Sequence, residues 1–461
     1  MAKWLTQMVV IFVLQATHSK NDDACWTHPS SLKWYQLTCT KVNSEFFENF
    51  QRSLNRTHWI KCIDCSLNVI DERTFNFPKN NVSFLELPHC GVWSLRKFAF
   101  RSFFLMKYIN LKDNKIGNLE QKCFSGLKRL IHLDLSSNCI KIITANIFSE
   151  LINLDILNLN YNKIFHIQPY AFTGLINLKF LYLNNNDLKK LEDQMFKPLT
   201  NLKILYLEHN NIKELHQNAF ANLRNLNYLY LNNNSITFLV QYNFKPLTSL
   251  IDLQLRSNNI SEIQVSSFNG LKNLRVLHLG DNNIRTVKPY GFIGLNSLSI
   301  LELTRNKLKS VQFSYFDKIS NLGILWLNEN FITEFIVNQR DEVQDSLALL
   351  DLSYNDLKYY NYTLLYSKMP NIKEIVFTNN SFNCDFFKNM YDFFLKKHTS
   401  ICISPSCNVN HTSDYIDNFC FEDSYTTVNV LNITDFSTQS AHKLAFHLYT
   451  ITALSLLILF C

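Results

Sequence analysis

The residues that could do chemistry in this chain are few and poorly spaced for catalysis. Its 13 histidines are scattered, with no HExxH pair to hold a metal from one helix face. No G-x-S-x-G elbow, phosphate-cradling glycine loop or dinucleotide fingerprint occurs, and 9 glycines leave little room for one. Cys62-x-x-Cys65 is half of a zinc site without a second pair at ribbon spacing. The expectation is therefore a non-enzyme with no metal and no other cofactor. What remains is recognition chemistry. Phe180 with Tyr182, Ile204 with Tyr206, and Tyr228 with Tyr230 come in three successive segments, and Tyr182, Tyr206 and Tyr230 stand 24 residues apart. Exposed aromatic clusters mark interaction sites, and tyrosine is enriched in binding hot spots. The alternative is that the rings stack across strands and only steady a sheet. Asn160, Asn184 and Asn232 flank this patch, a glycan on Asn233 would stand at its edge, and Trp326 with Tyr354 forms a second candidate.

Positions this regular require an element that repeats. Asn114, Asn138, Asn162, Asn186, Asn210, Asn234, Asn258, Asn282, Asn306 and Asn330 follow one another at intervals of 24, and Asn355 and Asn380 continue at 25. The pattern ahead of the Asn is L-x-x-L-x-L-x-x-N, as in Leu202, Leu205, Leu207 and Asn210. Ten residues after the Asn comes Phe, from Phe124 to Phe316. Cys90 takes the Asn place one repeat earlier, with Phe100 at the same offset, and Cys65 with Phe75 marks the repeat before that. In x-L-x-L-x the alternation of a strand sends Leu inward and the x residues outward. Successive strands then stack in parallel, and the x positions make one face of about thirteen strands, roughly 60 Å long at the usual strand spacing. Single acids such as Glu86, Asp134 and Glu302 fall on that outward face. The chain turns inward after each strand and leaves backbone polar groups in the interior, which an Asn amide can satisfy. The Phe residues line the opposite side, where bulk widens the outside of an arc. Asn and Phe are therefore structural.

Composition agrees with a large packed core: 47% of residues are hydrophobic and 18% charged, with 9 Gly and 9 Pro. Collagen-like, linker-like and disordered architectures are excluded. The net charge of +7 is spread without a dense Lys/Arg block, so no nucleic-acid partner is expected. The first 19 residues read as a secretory signal peptide, with Lys3 ahead of the apolar stretch Leu5 to Leu14. Residues 444–461 form an apolar tail after a polar stalk, 423–443, and read either as a glycolipid (GPI) attachment signal or as a single membrane span. Both place the body on the extracellular face of the plasma membrane. In such a chain, two groups of four cysteines read as disulfide caps. Cys25, Cys39, Cys62 and Cys65 fall in an N-terminal cap, residues 20–66; Cys384, Cys402, Cys407 and Cys420 fall in a C-terminal cap, 381–422. Cys90, Cys123 and Cys139 are left unassigned. Sequons at Asn55, Asn81, Asn233, Asn259, Asn361, Asn379, Asn410 and Asn432 predict a glycoprotein.

The period, the L-x-x-L-x-L-x-x-N motif and the Phe register together resemble the extracellular leucine-rich repeat family, in its 24-residue subtype with cysteine-rich caps. The resemblance covers residues 57 to 420 and implies an α/β solenoid. The fold is then a curved horseshoe with a parallel sheet on its concave face, a repeat array over 67–380 and a disulfide cap at each end. The C-terminal flank departs from the usual Cys-x-Cys, since Phe386 stands at the second place. With Cys407 as substitute, the resemblance suggests Cys384–Cys402 and Cys407–Cys420 and a helix over Asp385 to Lys397. The repeat between Asn330 and Asn355 is irregular, and its polar stretch Asn338 to Ser346 is expected to bulge as a loop. Surface proteins of this type are similar to chaoptin-like, connectin-like and Nogo-receptor-like proteins and to Toll-type ectodomains. That implies protein recognition at the cell surface, by adhesion to a surface protein or another copy. The alternatives are capture of a soluble or microbial ligand for a signalling co-receptor, or a matrix structural role.

Overall fold

Alternating leucines fix where each strand lies. In Ile204–Tyr206, Leu205 is fully buried between Leu202 and Leu207, which are equally buried. The neighbouring turns repeat this arrangement, so Leu181, Leu205 and Leu229 pair directly across adjacent parallel strands. The structure is a computed structural model and describes residues 24–29, 35–50, 54–77 and 79–402. The signal segment, stalk and apolar tail, Cys407, Cys420, Asn410 and Asn432 lie outside the described residues.

One sheet of 17 strands runs from Cys25–Pro29 to Ser400–Cys402. Its first pair is antiparallel and every later pair is parallel. The sheet exceeds the expected length because the caps also contribute strands. Cys25–Pro29 and Tyr35–Thr40 extend it at one end and Ser400–Cys402 at the other, covering strand edges that would otherwise be open. Across the core, Phe220 stacks between Phe196 and Phe244 with ring centroids 6.4 and 5.9 Å apart. On the sheet side, the Tyr182–Tyr206 and Tyr206–Tyr230 centroids are 4.6 and 4.8 Å apart. Turns that close on the strand side and open on the Phe side must bend the stack into a horseshoe.

The asparagines staple turn to turn. Asn210 Nδ2 donates to the carbonyls of Leu207 and Glu208 in its own turn and to that of Leu183 in the turn before, while its Oδ1 accepts from Leu188 N–H at 3.1 Å. Cys90 stands in for this group, with its thiol 3.3 Å from the Pro88 carbonyl and 3.8 Å from that of Cys62. A second ladder, absent from the sequence reading, runs nine residues ahead of the first. Asn153, Asn177, Asn201 and Asn225 each donate to a carbonyl 25 residues back, at 2.8 to 2.9 Å.

Disulfides Cys25–Cys39 and Cys62–Cys65 close the N-terminal end. Above them, helix α1 (Ser44–Glu48) buries Phe47 against Phe75. At the other end lie α2 (Tyr362–Lys368) and α3 (Cys384–Leu395). Helix α3 starts one residue before the expected span and ends two before it, capped by Asn383, whose side chain accepts from Phe386 N–H at 2.7 Å. Its Met390 and Phe394 are buried. Cys384 does not make the expected bridge to Cys402: it is a free, exposed thiol. As the first helical residue it lies with exposed Asp385 and Lys388, while Phe386, Phe387 and Met390 pack inward. Of the unassigned cysteines, Cys90 and Cys123 are buried free thiols and Cys139 is a half-buried one. The irregular segment 338–346 is tied down by Lys368, whose buried ammonium donates to the carbonyls of Gln339 and Asp341.

Candidate partner-binding face

The register brings the candidate tyrosines together: Tyr182 pairs with Tyr206, and Tyr206 with Tyr230. Their rings are nearly parallel, at 7° and 3°. Ile204, Tyr206 and Tyr230 form one apolar cluster with Phe180, Tyr182 and Tyr228 packed on it. Close stacking makes the rings shield one another, so Tyr206 is only 2% exposed and Tyr230 5%. The surface a partner meets is therefore Phe180, Tyr182 and Tyr228, each half-buried, above a stacked floor. Trp326 does not join them. It lies four strands further along, between Glu302 and Asp351, half-buried, with exposed Tyr354 beyond it.

Three acids on this side of the array have different surroundings. Glu302 is 1% exposed; Arg256, two turns away, grips both its oxygens, and His278 binds one of them. Burial pushes this carboxyl up, but hydrogen bonds from His278 and Arg256 outweigh it and hold the group below its usual range. Asp252 is also buried and is pushed up to about 6 by that burial, against a 2.9 Å hydrogen bond from Gln254 and the charge of His278. Burial likewise raises Glu208 to about 7, despite nearby backbone N–H groups. Neither sequence spacing nor residue type singled out Glu208, because its column holds Asn in the turns on either side.

Glu208 makes stability depend on pH. A carboxyl that binds its proton more tightly when folded contributes stability that is complete below its unfolded pKa of 4.5 and lost as pH rises through about 7. Gln, which stays neutral, removes that dependence. E208Q is therefore expected to match the parent protein at pH 4.5 and to exceed it by about 3 kcal/mol at pH 8. Thermal unfolding at both pH values tests this, and a constant difference between the two proteins would contradict it.

Cys62, Cys65 and Cys90 place three buried sulfurs within 4.8 Å of one another. With Cys62 and Cys65 joined in a disulfide, neither offers a thiolate to a metal ion. Asn55, Asn81, Asn233, Asn259, Asn361 and Asn379 are all exposed, and no sequon lies between Asn81 and Asn233. That interval contains Phe180, Tyr182 and Tyr228. Among the described residues no helix is long and apolar enough to cross a membrane.

The sequence profile named leucine rich repeat matches residues 80–140, 104–164, 152–212, 200–260 and 248–308. No curated protein matches the chain. Among solved structures it is similar to a leucine-rich repeat protein of Leptospira interrogans at 21% identity and a TM-score of 0.58, over 79% of this chain and 89% of that one. The LRIM1/APL1C complex is similar at 17% identity and 0.56, over 81% and 73%. In the Drosophila Toll–Spatzle complex the match has 20% identity and a TM-score of 0.52, over 85% and 65%. TLR13, solved in complex with ssRNA13, matches at 22% and 0.50, over 78% of this chain; the chain spans only 58% of that protein.

Proposed function

This chain is a leucine-rich repeat protein, and on that premise we propose that it is a non-catalytic recognition module at the cell surface, binding a protein partner across its concave face around Phe180, Tyr182 and Tyr228. The fold is generally a protein–protein interaction module. It specifies a curved surface and not a ligand, so specificity must come from the face itself. The observation that carries it is the half-buried aromatic group on a rigid stacked floor, within the longest sequon-free interval of the described chain. Rigid aromatic area loses little conformational entropy on binding. Surface display is supported by the apolar first segment, the apolar tail, the exposed sequons and the two disulfides, which need an oxidising compartment. The tail serves as the membrane anchor in this reading, as a glycolipid signal or a single span.

Replacing all three tyrosines is a poor test, since Tyr206 and Tyr230 belong to the packing. Masking the face with sugar is better. N160T creates the sequon Asn158-Leu-Thr on the sheet beside Tyr182, and R224T creates one at exposed Asn222, in the turn after Phe220. Cells displaying each protein are mixed with differently labelled cells that lack it. Clustering is expected for the parent protein, for R224T and for N160A, which carries no new sugar, and is expected to be lost in N160T. Clustering that survives a confirmed glycan at Asn158 would place the contact elsewhere. Clusters of expressing cells alone would mean homophilic adhesion, and mixed clusters a counter-receptor. A displayed parent protein that gives none would shift the reading to a soluble ligand.

A further inference from the structure

We propose that Glu208, the Asn184 side-chain oxygen and the Tyr230 hydroxyl form a socket on the concave face for the guanidinium of an arginine presented by the protein partner. This rests on the reading of the concave face as the docking surface and names the chemistry it selects. Asn184 and Glu208 occupy equivalent places on adjacent turns, with Asn160 one turn further on. The Asn160 Oδ1, Asn184 Oδ1, Glu208 Oε2 and Tyr230 hydroxyl are all buried, and none has a hydrogen-bond partner among the described residues. Buried acceptors in folded proteins are normally satisfied, so a row of them beside an aromatic surface needs donors from outside.

The same sheet shows what a satisfied carboxylate looks like. Glu302 holds Arg256 on both oxygens and His278 on one, drawing the Arg256 side chain across two turns. Glu208 forms no ion pair among the described residues. Tyr206 and Tyr230 lie close enough for its charge to disfavour their ionisation further, beyond the effect of burial. His209, next in the chain, turns its ring to Asn233 instead. Glu208 remains partly exposed as a residue, so rotation of its carboxyl brings both oxygens to the surface. A guanidinium fits this better than an ammonium. Its five N–H donors lie in one plane and can serve a carboxylate and an acceptor on the next turn together, whereas an ammonium is a point charge.

The test uses the full chain in detergent at pH 8 and three capped tripeptides, Gly-Arg-Gly, Gly-Lys-Gly and Gly-citrulline-Gly, followed by saturation-transfer NMR on the peptides. The arginine peptide is expected to bind at least tenfold more tightly than the neutral citrulline peptide, and several-fold more tightly than the lysine one. E208Q is expected to erase both preferences while keeping the parent near-UV circular dichroism, and E208A to do the same if the Gln variant misfolds. Equal binding of arginine and citrulline, of arginine and lysine, or an unchanged preference in E208Q would each overturn the socket. None of these outcomes touches the docking face itself, which stands or falls on the glycan at Asn158.

Discussion

Phe220→Asp is expected to abolish surface display, while Phe220→Leu lowers it only in part. The Phe220 side chain is fully buried between the rings of Phe196 and Phe244, so a carboxylate placed there would lie among aromatic side chains. An unpaired carboxylate there costs several kcal/mol even if it takes up a proton, on top of the lost packing. Domain stabilities are only about 5–15 kcal/mol. In a solenoid the core of each turn packs on the turns beside it, so a turn that cannot close cuts the array into two shorter stacks with exposed ends. Leu keeps the site apolar and loses about 1–3 kcal/mol of stacking and volume. Epitope-tagged variants counted at the surface by flow cytometry, against total cellular protein, give the readout. Normal display of F220D would mean that the Phe register assigned here is wrong.

Asn210→Asp is the second large effect, and it comes from an almost isosteric change. The Asn210 amide nitrogen donates to the Leu183, Leu207 and Glu208 carbonyls, two of them at 3.0 Å. In Asp an oxygen takes its place, and acceptor then faces acceptor in a site that is 6% exposed. Only the bond from Leu188 N–H to the other oxygen survives. The three carbonyls keep other donors, from Asn186 Nδ2, Asn234 Nδ2 and Asn185 N–H. The loss therefore comes from the removed hydrogen bonds and from a buried oxygen with no donor to meet, and is expected at about 3–5 kcal/mol, comparable with deleting a core side chain. Asn210→Leu should be similar, because it also removes the donors and additionally orphans the Leu188 N–H. Urea unfolding followed by circular dichroism checks this. A loss below about 1 kcal/mol for N210D would show that the ladder is dispensable.

Much of this was legible in the sequence because the repeat constrains so many residues. A 24-residue period with Leu, Asn and Phe at set offsets leaves one strand register open, and the observed pairing of Leu181, Leu205 and Leu229 is that register. The second ladder was equally legible, since Asn153, Asn177, Asn201 and Asn225 keep the same interval. It does not stand out, because Asn is common throughout and the motif does not require it. The C-terminal bridge from Cys384 went the other way: the orientation of a helix start decides where a thiol points, and spacing carries no information on that.

The sequence by itself determined the architecture and which residues share a column. A strand alternates side chains with a period of two, and a solenoid aligns every repeat with the next, so local pattern and global packing coincide. Only the tertiary structure decided what a column does once aligned. Tyr182, Tyr206 and Tyr230 are adjacent either way, but the 4.6 and 4.8 Å spacing turns two of them into floor. Glu302 and Glu208 are both outward acids by pattern. One is neutralised because Arg256 can reach across two turns, while the other keeps an unpaired oxygen. Such differences arise between columns and between distant turns, where charge, reach and mutual shielding are set by three-dimensional neighbours that periodicity does not encode.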